Sequence, residues 1–182
     1  MRTPTDRLLA TLAALCLLLA SACQGAPAPA PTTADVAAEA DVRKVVDAVY
    51  DWVSGPQGSA KDRDALLALF VPEGRMIVTQ TGPDGASAAR SMPVGAFADM
   101  VLRGVTQRAF YEAPIRTRVD VFGGIAMAWS SYTARRAPEE SPFERGINCF
   151  QLARTADGWR IVSIAWAVES ATTKLPADMA GG

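Results

Sequence analysis

Past residue 34 the hydrophobic positions follow a helical spacing first and an alternating one later. Val42, Val45, Val46, Val49 and Val53 fall on one helix face while Arg43, Lys44, Asp47 and Asp51 lie elsewhere on the wheel, so an amphipathic helix is predicted over residues 35–54. Ser54-Gly55-Pro56 ends it, because glycine can adopt the left-handed conformation and proline cannot continue the hydrogen-bond ladder. A second helix is expected to begin near Asp62, whose carboxylate can accept from free N–H groups, and to present Leu66, Leu67 and Phe70 before Pro72. Residues 75–81 read as a strand closed by Pro83-Asp84-Gly85. A third helix starts around Met92-Pro93, carries Val94, Phe97 and Val101 on one side and stops at Gly104. From residue 110 the period is two, and strands are predicted over 110–122, 125–136, 143–154 and 159–169. Gly123-Gly124 and Ala156-Asp157-Gly158 mark tight turns between them, and 138–142 is a longer acidic loop. Helices first and an antiparallel meander after them make an α+β layout, with the helices packed on one face of the sheet.

The first 34 residues follow neither pattern. Arg2 and Arg7 precede an apolar run over 8–20, with Thr11 its one polar residue, which is shorter than the roughly 20 residues a membrane crossing needs. Together with the small residues that follow, it reads as a cleavable secretory signal. Leu19-Ala20-Ser21-Ala22-Cys23 resembles the lipobox of bacterial lipoproteins, which implies a diacylglyceryl group on Cys23. Ala20 departs from the commonest lipobox, which has leucine there, and the alternative is ordinary cleavage with release. Gln24, rather than an aspartate, resembles lipoproteins passed to the outer membrane of a Gram-negative cell. Pro27, Pro29 and Pro31 keep the next stretch extended, as a tether. The expected organisation is a lipoprotein-type signal at 1–22, anchor and tether at 23–34, a folded domain at 35–170 and a flexible tail at 171–182. The chain is expected in the cell envelope, membrane-anchored and facing the periplasm or exterior. Replacing Cys23 with Ser should release it from the membrane fraction, and unchanged fractionation would refute the anchor.

Composition narrows the chemistry. A chain of 182 residues that is 49% hydrophobic fits one globular domain. Without Arg2, Arg7 and Asp6 there are 16 basic and 18 acidic residues, a balance that gives no electrostatic reason for a nucleic-acid partner. The chain has no histidine. That removes the usual base near neutral pH, the Ser/His and Cys/His nucleophile systems and imidazole metal ligands, so neither a metal nor a cofactor is expected. Cys16 leaves with the signal and Cys23 is the anchor, so Cys149 has no disulfide partner and reads as a small buried apolar residue.

Phe122-Gly123-Gly124-Ile125-Ala126 with Ser131-Tyr132, then Phe143-Glu144-Arg145-Gly146-Ile147-Asn148-Cys149-Phe150-Gln151-Leu152, Trp159-Arg160-Ile161-Val162 and Trp166, resemble the NTF2-like superfamily (SnoaL-like, DUF4440-type) in a bacterial subfamily of unassigned function. The resemblance spans about residues 35–169. It implies a cone, or α+β roll: three N-terminal helices on a strongly curved antiparallel sheet that encloses a hydrophobic pocket, frequently in a homodimer formed through the outer sheet face. This fold carries isomerases, dehydratases, cyclases and binding modules alike, so it does not settle activity. Ketosteroid-isomerase-like relatives place a base carboxylate on the strand after the second helix, and residues 75–81 contain no acid. Limonene-epoxide-hydrolase-like and scytalone-dehydratase-like constellations are absent too.

The pocket residues singled out are Tyr132, Arg145, Asn148, Phe150 and Trp166, with Arg145 as a clamp for a ligand carboxylate and Asn148 as a combined donor and acceptor. Their plainer roles are a rim ion pair of Arg145 with Glu139, Glu140 or Glu144, a turn or bulge support by Asn148, and core packing by Tyr132 and Trp166. Asp64 and Glu169 are the acids expected nearest the cavity, each otherwise a cap or a strand-end charge. No catalytic residue is assigned. The favoured reading is a pocket that binds a small apolar or amphipathic ligand, or a surface that binds a protein partner, without catalysis. The alternative is a small isomerase, dehydratase or cyclase using a pocket carboxylate or Tyr132. A carboxylate at the base of the cone, away from water, separates the two.

Overall fold

The computed structural model describes residues 32–82 and 86–181. The signal, Cys16, Cys23, the tether before residue 32 and the Pro83-Asp84-Gly85 turn lie outside those residues. Helix α1 (Thr33–Val53) buries Val42, Val46, Val49, Tyr50 and Val53, the face the valine spacing marks. Its C-terminal carbonyls at Trp52 and Ser54 accept from the Lys61 ammonium at 2.6 and 2.9 Å. Gly55 is not left-handed. It bridges to Phe110, donating at 2.7 Å and accepting at 3.0 Å, and thereby stitches the end of α1 to the start of the meander. Helix α2 (Arg63–Leu67) is a short turn whose Asp62 cap accepts from the Asp64 and Ala65 N–H groups.

Phe70 and Pro72 belong to strand β1 (Phe70–Thr81) rather than to α2. Strand β2 (Ser87–Pro93), which the sequence pattern does not announce, pairs antiparallel with it. Helix α3 (Val94–Val105) follows Pro93 directly. The meander strands are β3 (Tyr111–Phe122), β4 (Ile125–Arg135), β5 (Glu144–Thr155) and β6 (Gly158–Val168). Gly123 sits in the β3–β4 turn and Gly158 opens β6, with φ of 56° and 103°, where a side chain would be strained.

All six strands form one curved sheet in the order β2-β1-β6-β5-β4-β3. The wholly antiparallel sheet expected from the meander is corrected: β1 lies parallel to β6, with Met76 beside Ile164 and Val78 beside Trp166, so the sheet is mixed. The third helix also follows the β1–β2 hairpin, so the helices do not form one N-terminal block. Val42, Val46 and Tyr50 of α1 pack with Ala128, Phe150, Leu152 and Ile161 on the inner sheet face.

The meander is interrupted twice: Gln151 lies opposite Ser163 but Leu152 opposite Ile161, so Val162 is an extra residue on β6, and a second break falls in β3. Pro114 lies opposite Tyr132 but Arg116 lies opposite Ser131, so Ile115 is an extra residue on the edge strand β3. The chain after β6 also departs from expectation. Residues 171–182 read as a flexible tail, yet Ser131 Oγ donates to the Met179 carbonyl at 2.6 Å, Arg145 donates to the Ala180 carbonyl at 2.7 Å and Met179 is buried. The thioether and two backbone acceptors give the segment enough contact to dock.

Candidate functional site

Between α1, α3 and the concave sheet face lies a cavity of about 450 Å³, within the range of small-molecule sites. Met76, Phe97, Phe150, Ile164 and Trp166 give it apolar walls, with Phe97 and Trp166 meeting edge to face at 6.1 Å. Four of the five residues singled out from the sequence, Tyr132, Asn148, Phe150 and Trp166, lie on its lining. Arg145 does not. Side chains alternate along a strand, and with Gly146, Asn148 and Phe150 turned inward Arg145 falls on the outer face. There it sits 3.8 Å from Glu169 and holds Ala180, so its ion-pair partner is neither Glu139, Glu140 nor Glu144. Glu169 is thus committed outside the cavity, and Asp64 is an exposed first-turn residue of α2. Neither acid expected near the cavity lines it.

The acids that do line it are Glu112 and Glu144. Asn148 is 9% exposed and spends both amide hydrogens here, donating to Glu112 Oε1 at 2.8 Å and to the Tyr50 hydroxyl at 3.2 Å. Tyr50 in turn donates to Ser130 Oγ at 2.8 Å, and Ser130 shares a 2.8 Å hydrogen bond with Thr117. On the other side, Tyr132 donates to Glu144 Oε1 at 2.9 Å. Its ring crosses β5 over Gly146, where an added Cβ would lie 2.7 Å from the hydroxyl oxygen. Burial is the main influence on Glu112 and pushes its carboxyl up to about 7; the Asn148 hydrogen bond opposes this and the neighbouring Glu144 charge adds to it. Burial likewise drives both Tyr50 and Tyr132 well above the usual phenol range, so both hydroxyls stay protonated.

Glu112 reaches the cavity because of the bulge. Downstream of Ile115 the inward residues of β3 are Thr117, Val119 and Val121, opposite Ser130, Ala128 and Ala126. Strict alternation backward from them turns Glu112 outward. The extra residue flips the parity, so that Glu112 faces Ala134 on the inner side. Pro114 is the one sequence signal for this, since a proline inside a strand marks an edge or a bulge. Among the described residues no group of three or more acidic or cysteine side chains is placed to hold a metal ion.

The fold has solved counterparts. The chain resembles an NTF2-like protein of unknown function from Shewanella baltica at 15% identity, covering 78% of this chain and 100% of that one with a TM-score of 0.52. It resembles a second such protein, from Silicibacter pomeroyi, at 18% identity over 76% of this chain and 100% of that one, with a TM-score of 0.51. A Streptomyces avermitilis protein described provisionally as a dehydratase of the NTF2-like family matches at 16% identity, over 75% of this chain and 99% of that one, with a TM-score of 0.56. The domain therefore has the NTF2-like fold. No protein-family profile and no curated protein matches the sequence.

Proposed function

We propose that the cavity takes a small, mainly apolar substrate and that Glu112 removes a proton from it as general base. One observation carries this reading: a carboxyl group lining a mainly apolar cavity, held by Asn148 at 2.8 Å and pushed up to about 7 by burial. A base is most effective when its pKa lies near the working pH. An ordinary surface glutamate is ionised at pH 7 but is a weaker base than Glu112. Raising the carboxyl toward 7 strengthens the base while about half of it remains ionised. No histidine is required. Returning the proton to a second atom of the same substrate completes an isomerisation with no redox partner, and Glu144, which accepts the Tyr132 hydroxyl hydrogen, gives the site a second carboxyl group. Proton removal followed by loss of hydroxide, a dehydration, would use the same base.

This reading prefers the enzymatic alternative to a non-catalytic pocket, because Glu112 borders the cavity with its carboxyl largely withdrawn from water. Binding without turnover draws support from the tyrosines, whose hydroxyls both donate to protein groups, Tyr50 to Ser130 and Tyr132 to Glu144. A titration of the protein carrying carboxyl-¹³C glutamate, with Glu112→Gln for assignment, tests the base directly. The Glu112 resonance should show an apparent pKa near 7. A midpoint in the ordinary glutamate range would leave a binding chamber and remove the base.

A further inference from the structure

Two guanidinium groups also line the cavity, those of Arg108 and Arg136, and proton abstraction uses neither. Arg136 is held in place: it donates to the Ala109 carbonyl at 3.1 Å and its charge lies 4.0 Å over the Phe143 ring. Phe143 is in turn edge to face with Phe110 at 6.2 Å. Arg108 is exposed, so it stands where the cavity opens to solvent, in the segment between α3 and β3. Among the described residues its side chain enters no hydrogen bond, and the ion pairs there involve neither arginine and neither cavity glutamate. Nor does either arginine act on Glu112, whose carboxyl is governed by burial, Asn148 and Glu144.

Two cations that border an apolar cavity without neutralising its acids are arranged for a charge the protein does not supply. We propose that the substrate is a hydrophobic monocarboxylate whose acid group is held at the cavity mouth by Arg108, with Arg136 fixed beside it, and whose apolar body reaches toward Phe150, Ile164 and Trp166. The inference rests on the reading of this cavity as the substrate site. A guanidinium presents paired N–H donors that match a carboxylate. A single negative charge suits the site better than a phosphate dianion, because Glu112 and Glu144 border the same cavity and repel a second charge. Anchoring the charged end at the mouth orients the remainder of the molecule and carries its C–H groups inward, past Glu112.

The test uses the full chain and two probes of one shape, 2-naphthoate and 2-naphthamide, which differ in charge. Calorimetric titration at a single pH should show naphthoate binding about tenfold tighter or more, the scale expected for a charge-assisted contact. Arg108→Gln should bring the two affinities within about twofold of each other while naphthamide binding stays where it was. Loss of the preference only in the Arg108→Gln/Arg136→Gln protein would move the main contact to Arg136 and uphold the arginine pair. Equal binding of both probes to the unmodified protein, a preference that survives both changes, or no binding of either probe at millimolar concentration would overturn the proposal. These outcomes are independent of the Glu112 titration. A normal glutamate midpoint with a lost naphthoate preference in Arg108→Gln would sink the base and spare the anion site; the opposite pair would do the reverse.

Discussion

Glu112→Gln lowers the protein-catalysed ring opening of 5-nitrobenzisoxazole, a small planar probe that opens when a base removes its one acidic C–H proton, by about 100-fold or more. The unmodified protein should show activity that rises with pH and levels off above about 7, as the Glu112 carboxylate forms. Equal rates in the two proteins, or a profile with no inflection near 7, would end the case for this base. The same substitution carries a stability signature of known sign. Burial favours the protonated form, so the folded carboxyl titrates near 7 and the unfolded one near 4.5. Below the unfolded value both states hold the proton and Glu112 costs nothing. As pH rises toward 7 the unfolded chain releases its proton first, and the fold loses stability until the native carboxyl also ionises. Glu112→Gln removes this slope. It should leave stability near pH 4 almost unchanged and raise it by about 1 to 3 kcal/mol at pH 8, the upper figure reduced because the cavity admits some water. Urea unfolding at the two pH values measures the difference. A gain in stability with a loss of turnover is the mark of a functional acid kept in an unfavourable place.

The second large effect belongs to Gly146. Glycine to alanine in a strand ordinarily helps, by about 0.4 to 1 kcal/mol, because it restricts the unfolded chain. Here the added methyl would lie 2.7 and 2.8 Å from the hydroxyl oxygen and Cε1 of Tyr132, and it would also press on the Ala167 carbonyl. Tyr132 is 2% exposed, and withdrawing from the methyl would take its hydroxyl off Glu144. The Ala167 carbonyl cannot yield without disturbing the pairing of Ile147 with Ala167. Gly146→Ala is therefore expected to cost about 2 to 3 kcal/mol, measured by urea unfolding. It should also pull Tyr132 away from Glu144. Combining it with Tyr132→Phe, which removes the crowded oxygen, should recover part of the loss. A neutral Gly146→Ala would show that the tyrosine does not cross β5 in this way.

Much of the architecture was legible because local signals agree with the global fold. The valine stripe of α1, the Asp62 cap and the paired turns at Gly123 and Gly158 each specify their element from within a few residues. Strand β2 gave no such signal: Ser87, Ala88, Ala89, Arg90 and Ser91 are small or polar and lie exposed on a sheet edge, where no buried face imposes alternation. The parallel pairing of β1 with β6 joins distant parts of the chain, and no short-range pattern reports it. The site was half legible for the same reason. Asn148 and Phe150 share one strand parity and were readable together, whereas Arg145 was set beside them against that parity and belongs on the outside. Glu112 was hidden by the extra residue in β3, since every count made along a regular strand turns it toward solvent.

That extra residue ties the chemistry of this domain to the pairing of one strand. Ile115 has no partner across the ladder, so β3 could lose it and keep Glu112 opposite Ala134 on the inner side. Flattening the bulge with Ile115 retained is the change that matters, because it moves every side chain upstream of it to the other face, turns Glu112 out and leaves Asn148 facing Ala113 and Ile115. The same vessel would then hold its guest without a reagent in it. In a scaffold of this kind, a slip of one position in the pairing, with no exchange of side chains at all, is enough to carry a protein between catalyst and carrier.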